Sequence, residues 1–175
     1  MAVSWRLHRG HLARNLDYMQ FSRTTLDETD CKLLAALQRN AHLTAQELAE
    51  QLHLSASQIG RRRQRLEAEG YICSYSARLD PRRIGLTVQA FVQVQMVNHA
   101  PDTAQSFGRL VDARPEITSA WTLTGEADYL LRVYCEDLPA LNQLIHEILL
   151  THKAVARVQS QIVMDQFKSD APLPT

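Results

Sequence analysis

The sequence predicts an α+β protein: an N-terminal winged helix-turn-helix followed by a βαββαβ ferredoxin-like sandwich domain. Three observations carry that expectation. A helix-start signature occurs three times between residues 26 and 59, strand and helix rhythms alternate from residue 88 to 164, and the charge divides into two unlike halves. Residues 1–83 hold 13 Lys+Arg against 9 Asp+Glu and residues 84–175 hold 6 against 10, so a chain of zero net charge is +4 in one half and −4 in the other. Such asymmetry points to a half that faces nucleic acid joined to a half with another task.

Composition narrows the class further. The 175 residues, 45% hydrophobic and 22% charged, suit one or two globular cores and exclude wholesale disorder or a collagen-like chain. No run approaches the roughly 20 apolar residues that span a bilayer, and the N-terminus reads as no secretion signal. Cys31, Cys73 and Cys135 are odd in number, dispersed and never in a CxxC pattern. They predict reduced thiols and a cytoplasmic, nucleoid-associated protein with no membrane partner, rather than a disulfide frame or a zinc site. Residues 1–25 carry Arg6, Arg9, Arg14 and Arg23 with little periodicity and read as a basic, poorly ordered arm. Two readings of this arm stand together: a DNA-contacting extension, or an over-long start ahead of Met19.

The winged helix-turn-helix is expected over residues 26–80. Leu26-Asp27 with Asp30 and Cys31, Leu43-Thr44 with Glu47 and Leu48, and Leu54-Ser55 with Gln58 and Ile59 share one grammar. Each sets an apolar residue before an N-cap, an acid or amide at the third helical position and an apolar residue at the fourth. The last two are capping boxes, in which the cap oxygen takes an orphan N–H and the third side chain reaches back. Helices are therefore predicted to start near 28, 45 and 56. They expose apolar stripes of Leu34, Leu37 and Ala41, of Leu48 and Leu52, and of Ile59 and Leu66, and Gly70 closes the third. His53-Leu54-Ser55 leaves room only for a tight turn between the second and third helices, which makes them a helix-turn-helix. Residues 71–79 are β-prone and are expected to form a wing, and Asp80-Pro81 opens a linker over 81–87.

The ferredoxin-like domain is expected over residues 88–168, with 169–175 as a tail. Val88, Ala90, Val92, Val94 and Met96 alternate with polar residues and Phe91, giving a period-2 strand. Pro101 opens a helix carrying Phe107, Leu110 and Val111. Residues 117–124 and 128–135 are strands joined by a Gly125-Glu126-Ala127 hairpin. Residues 138–150 form a helix with Leu141, Leu144, Ile145 and Ile148 on one stripe, and residues 155–164 form the last strand. In a βαββαβ domain the two helices cover one sheet face. Phe91 and Val97 on the other face suggest that a second copy of the chain covers it.

On a wheel of the third helix, Ile59 and Leu66 mark the buried side, and Ser57, Gln58, Arg61, Gln64 and Arg65 gather opposite, with Arg62 and Arg63 flanking. Arg, Gln and Ser are the side chains that read base edges or clamp phosphates. The candidate DNA contacts are Ser55, Ser57, Gln58, Arg61, Arg62, Gln64 and Arg65, and the partner is double-stranded DNA. Gly60 costs this helix about 1 kcal/mol relative to Ala, tolerable if something approaches the backbone closely. The Thr124, Gly125, Glu126 and Asp128 segment has two readings. It is an ordinary turn with solvated acids, or a small-molecule site whose carboxylates receive an ammonium group and whose glycine frees backbone N–H groups. Seven histidines show no metal-ligand spacing, and no nucleophile elbow, P-loop or dinucleotide motif is present, so no catalytic residue, metal or cofactor is expected.

Leu26-Asp27 with Asp30, Leu48-Ala49, Leu54-Ser55, Arg62, Arg65-Leu66-Glu67 and Gly70-Tyr71-Ile72 resemble the winged-helix signature of the leucine-responsive/asparagine-regulator (Lrp/AsnC) transcription factors. Leu79-Asp80-Pro81 with Gly85, Pro115-Glu116-Ile117, residues 124–131 and Pro172-Leu173-Pro174 continue the resemblance through the second half. It implies a DNA-binding homodimer that assembles further, commonly to octamers, and a second domain that senses an amino acid near Gly125. The chain departs from the family pattern at Arg63, where Val or Ile is usual, at Ala154 for Gly, and at Ser160 for Thr. Two other classes compete: a family-like tetrapyrrole (haem-pathway) decarboxylase with a vestigial helix-turn-helix, and a stand-alone ligand-binding or oligomerisation module. The intact basic helix favours the regulator over both.

Overall fold

The computed structural model describes residues 26–169 and 171–175, and the expected basic arm over 1–25 lies outside the described residues. The described residues divide into two compact units, one ending at Ser76 and joined by residues 171–175, the other spanning Ala77–Ser169.

In the first unit α1 (Glu28–Arg39), α2 (Ala45–Leu52) and α3 (Ala56–Ala68) begin where the capping grammar places them. All three carry a complete capping box, including Asp27/Asp30, which the sequence shows only as a weaker variant. Leu33, Leu34, Leu37, Leu48, Ala49, Ile59 and Leu66 form the buried core. Leu33, fully buried, belongs to it, while Ala41 stays at the margin. The turn between α2 and α3 is made by His53 in the left-handed conformation (φ 55°), whose N–H and that of Leu54 both close on the Ala49 carbonyl. Gly70 (φ 78°) ends α3 and turns the chain so that the Ile72 N–H reaches the Leu66 carbonyl.

Residues 71–79 form no hydrogen-bonded strand; the expected wing is an extended segment. This β-prone stretch has no ladder partner among the described residues, and side chains hold it instead. The segment 171–175 lies along α1. The Gln38 amide donates to the Leu173 carbonyl and accepts from the Leu173 N–H at 2.6 Å, and the Thr175 hydroxyl donates to the Cys31 carbonyl.

The second unit begins four residues before the boundary read from Asp80-Pro81. Its first part is a short 3-10 turn, Arg82–Ile84, closed by Gly85 (φ 87°), and the Thr87 hydroxyl donates to the Glu136 carbonyl. Then follow β1 (Val88–Met96), α4 (Pro101–Asp112), β2 (Ile117–Thr122), β3 (Tyr129–Cys135), α5 (Leu138–Gln143) and β4 (Val155–Ile162). The sheet runs β2-β3-β1-β4, antiparallel throughout, the βαββαβ order expected. Ala90, Val92, Val94 and Met96 of β1 meet Leu131, Val133 and Cys135 of β3 under Phe107, Leu141, Leu144 and Leu149 of the helical layer.

Three boundaries differ from the expectation. The chain between β2 and β3 is a six-residue loop rather than a tight Gly-Glu-Ala hairpin; the Leu123 N–H closes it on the Asp128 carbonyl, while the Asp128 N–H bonds the Val94 carbonyl of β1. The strand β4 ends at Ile162, two residues early. The helix over 138–150 changes to π geometry at Leu144–Leu149, with the Leu150 N–H bonded to the Ile145 carbonyl five residues back. Such a turn is wider than an α turn, and it buries Leu149 where an α-helical stripe would bury Ile148.

Candidate nucleic-acid interface

The seven candidate DNA contacts separate into three groups. Ser57, Arg61 and Gln64 lie one turn apart on one ridge of α3 and are all exposed. That spacing of four and three residues keeps side chains in register on a helix. Among the described residues Arg61 makes no ion pair, so its full donor fork is open. Ser55 and Gln58 face each other instead. The Gln58 Oε1 accepts the Ser55 N–H at 3.0 Å and the Ser55 hydroxyl at 3.1 Å, which leaves Gln58 its amide donors but occupies the oxygen that a two-point adenine contact needs.

Arg62 and Arg65 occupy the neighbouring ridge and turn to the start of α1. One Arg62 nitrogen, Nη1, donates to Asp27 at 2.6 Å and to Asp30 at 2.7 Å, and Arg65 Nη2 donates to the other Asp30 oxygen. Asp30 is fully buried, and the same Oδ2 also accepts the Asp27 N–H. A buried carboxylate is tolerated only when paired and hydrogen-bonded; two guanidiniums and a backbone N–H meet that need. Both arginines remain partly exposed, with side-chain exposures of 29% for Arg62 and 39% for Arg65. The Asp30 N–H and, next, the Arg62 guanidinium hold the exposed Asp27 carboxyl below its ordinary range. Asp27, Gln58, Arg61, Arg62 and Arg65 together line an open concavity of about 350 Å³. Sequence reasoning missed Asp27 and Asp30 as part of this face, though the Asp-x-x-Asp signal was present.

Arg63 explains how the extended segment after α3 is held. Its guanidinium lies 4.8 Å from the centre of the Tyr75 ring, its Nε reaches Glu67 and the Tyr75 oxygen, each at 3.1 Å, and the Tyr75 hydroxyl donates to Glu67 at 2.8 Å. Cation–π stacking with two hydrogen bonds makes a clamp that a Val or Ile at this position cannot form.

In the second unit, Thr124, Gly125 (φ 117°) and Glu126 stand exposed in the β2–β3 loop. Asp128 is committed to the fold: Oδ2 accepts the Met96 N–H at 2.7 Å, and Oδ1 lies 3.5 Å from His99 Nδ1, a neighbour that the sequence did not suggest. Of the two carboxylates, Glu126 is therefore the exposed one. Elsewhere, a concavity of about 400 Å³ between α5 and β4 is lined mainly by Leu138, Leu141, Ile145, Leu150 and Ile162. Among the described residues no three His, Cys, Asp or Glu side chains gather to hold a metal, and no helix is long and apolar enough to cross a membrane.

The uncovered sheet face is more apolar than Phe91 and Val97 suggested. Strand register puts Phe91 beside Arg132 and Gln161, and Leu130 beside Gln93 and Trp121, with Gln159 across β1. Trp121 is 43% exposed and Val97, beyond a register shift at the end of β1, is 59% exposed.

Comparison with known proteins matches these two units in order. Residues 26–72 match a winged helix-turn-helix DNA-binding domain, and residues 89–173 match the Lrp/AsnC ligand binding domain. The chain is 34% identical over 149 residues to the DNA-binding transcriptional activator DecR of Escherichia coli K12, covering 85% of this chain and 98% of DecR. It is 31% identical over 143 residues to the leucine-responsive regulatory protein of the same strain, covering 82% and 87%. Among solved structures it is similar to a transcriptional regulator of Neisseria meningitidis in complex with L-Met, at 39% identity and TM-score 0.82, covering 86% of this chain and 97% of that one. These relatives are transcriptional regulators, and the paired domains within one chain displace the stand-alone module reading. A capped helix-turn-helix with an open basic ridge, an antiparallel βαββαβ domain and relatives matched nearly end to end place this chain in the Lrp/AsnC family of DNA-binding transcriptional regulators.

Proposed function

We propose that the Ser57–Arg61–Gln64 ridge of α3 enters the major groove of double-stranded DNA, with Arg62 and Arg65 on the phosphates beside it. The observation that carries this reading is the division of labour on α3: Arg61 is exposed and makes no ion pair among the described residues, while its neighbours are anchored at its side. A forked guanidinium free of internal partners suits guanine O6 and N7, and anchored arginines suit backbone positioning. Ser55 and Gln58 act chiefly as the helix cap, and Gln58 keeps only a donor for DNA. The test is Arg61→Ala on a duplex selected from a random-sequence pool by the wild-type protein. Loss of about 1–3 kcal/mol with relaxed preference at one base pair supports base reading, and an equal loss on all duplexes reassigns Arg61 to phosphate.

The sheet face bearing Phe91, Leu130 and Trp121 is the dimer surface, consistent with its exposed aromatic area. A two-fold dimer offers two α3 helices to half-sites roughly 34 Å apart. The β2–β3 loop is the effector site. Glu126 receives the ammonium of an amino acid and the backbone around Gly125 holds its carboxylate, while Asp128 fixes the loop to β1. The L-Met complex of the Neisseria relative supports an amino acid as the ligand class. Thermal-shift screening of the twenty amino acids on wild type and on Glu126→Gln tests this. A stabilising amino acid whose effect Glu126→Gln removes supports the site, and an undiminished response moves it elsewhere. Regulation without catalysis, in the cytoplasm, completes the reading.

A further inference from the structure

Neutralising an acid beside a DNA-binding surface removes repulsion from the phosphates and should, by charge alone, tighten binding. Asp30 is placed to do the opposite. Its carboxylate is fully buried at the start of α1, 32 and 35 residues before the arginines it holds, and divides its two oxygens between them: Oδ1 to Arg62 and Oδ2 to Arg65. The Asp27 N–H on Oδ2 fixes the carboxylate plane through the capping box. Each guanidinium is thus held through one terminal nitrogen, and both arginines, partly exposed apart from the buried Arg65 Nε, line the concavity that Arg61 also lines.

We propose that Asp30 is a positioning residue for DNA recognition, holding Arg62 and Arg65 in the orientation in which they clamp duplex phosphates beside the Arg61 ridge. The inference rests on the DNA-reading face proposed above and adds a residue that itself touches no DNA. A long, flexible Arg loses rotamer freedom when it grips a phosphate; an arginine already fixed at one edge has lost that freedom in the free protein. The Asp27 carboxylate, exposed and on the same Arg62 nitrogen, has no such buried anchor.

The experiment measures affinity for the selected duplex over a salt series, with helix content followed by circular dichroism. Asp30→Asn should keep its helices at 15 °C yet bind roughly tenfold or more weakly, despite the loss of a negative charge. On an Arg62→Ala, Arg65→Ala background the same substitution should produce no further loss. Because Asp30 also sits in the α1 cap, a second variant guards against misfolding. Arg62→Lys with Arg65→Lys keeps both charges on partly exposed positions but removes the planar fork, and should weaken binding about tenfold with an unchanged salt slope. Unchanged or tighter binding by folded Asp30→Asn overturns the proposal. So does an equal loss on the double-alanine background, or wild-type affinity in the double-lysine protein. If Arg61→Ala also leaves binding intact, the reading of the face itself fails. If Arg61→Ala weakens binding and Asp30→Asn does not, only the role of Asp30 falls.

Discussion

Replacing Gly60 by alanine should make the protein more stable. Gly60 sits in the middle of α3 with no positive φ, and a Cβ built on it meets nothing within 4 Å. No close approach among the described residues accounts for the glycine, so the added methyl group costs no strain there. The gain is the helix-propensity difference, about 0.5–1 kcal/mol, from backbone freedom that alanine lacks in the unfolded chain. For a domain of this size that corresponds to roughly 3–6 °C in the melting temperature of the helical unit. Thermal unfolding of the full chain, followed at 222 nm without DNA, reads this directly. A melting temperature unchanged or lowered by Gly60→Ala would refute the reasoning, since it would mean that the space beside Gly60 is filled. The same variant informs on the interface. A fall in duplex affinity alongside the rise in stability locates the DNA backbone on the Gly60 flank, and an unchanged affinity locates it on the Arg62 flank.

Three more outcomes follow from the geometry. His53 holds a left-handed conformation that costs a non-glycine residue about 1 kcal/mol, so His53→Gly should stabilise the helix-turn-helix by up to that amount in the same melt. The carboxyls of Asp27, Glu47 and Glu67 lie below their ordinary range, through the Asp30 N–H and then Arg62, the Thr44 N–H and hydroxyl, and the Tyr75 hydroxyl and then Arg63 respectively. Depressed carboxylates stabilise above their unfolded values and lose that contribution as pH falls, so the first unit should weaken progressively below about pH 4–5, read as a falling melting temperature in acid titration. Phe91→Asp or Trp121→Asp should break the association through the sheet and yield a species near 19.9 kDa by light scattering, whereas wild type remains larger.

What was legible in the sequence is what is local. Helix starts could be read because each capping box closes within four residues, and β1 because alternation along one strand reports its two faces. The burial of Asp30 could not be read, since it depends on arginines 32 and 35 residues away. For the same reason Arg65 looked equivalent to Arg61 on a helical wheel, with Arg62 at their flank, because a wheel records angle but not partners. The departure from the family pattern at Arg63 finds its reason only in Tyr75, twelve residues on. Trp121 and Leu130 on the open sheet face needed strand register, which pairing alone determines. The π turn after Gln143 and the seating of Leu173 on Gln38, 135 residues apart, leave no periodic trace.

Whether α3 reads DNA with arginines clamping the phosphates is decided by a titration of wild-type protein onto its selected duplex and onto a scrambled one, across about 50–200 mM salt. A DNA-reading α3 should give tight binding to the selected duplex, preference for it over the scrambled one, and affinity that falls steeply with salt on both, by roughly a hundredfold or more for a dimer that engages several phosphates. Absence of binding at the lowest salt, or binding that ignores salt and sequence alike, would contradict it.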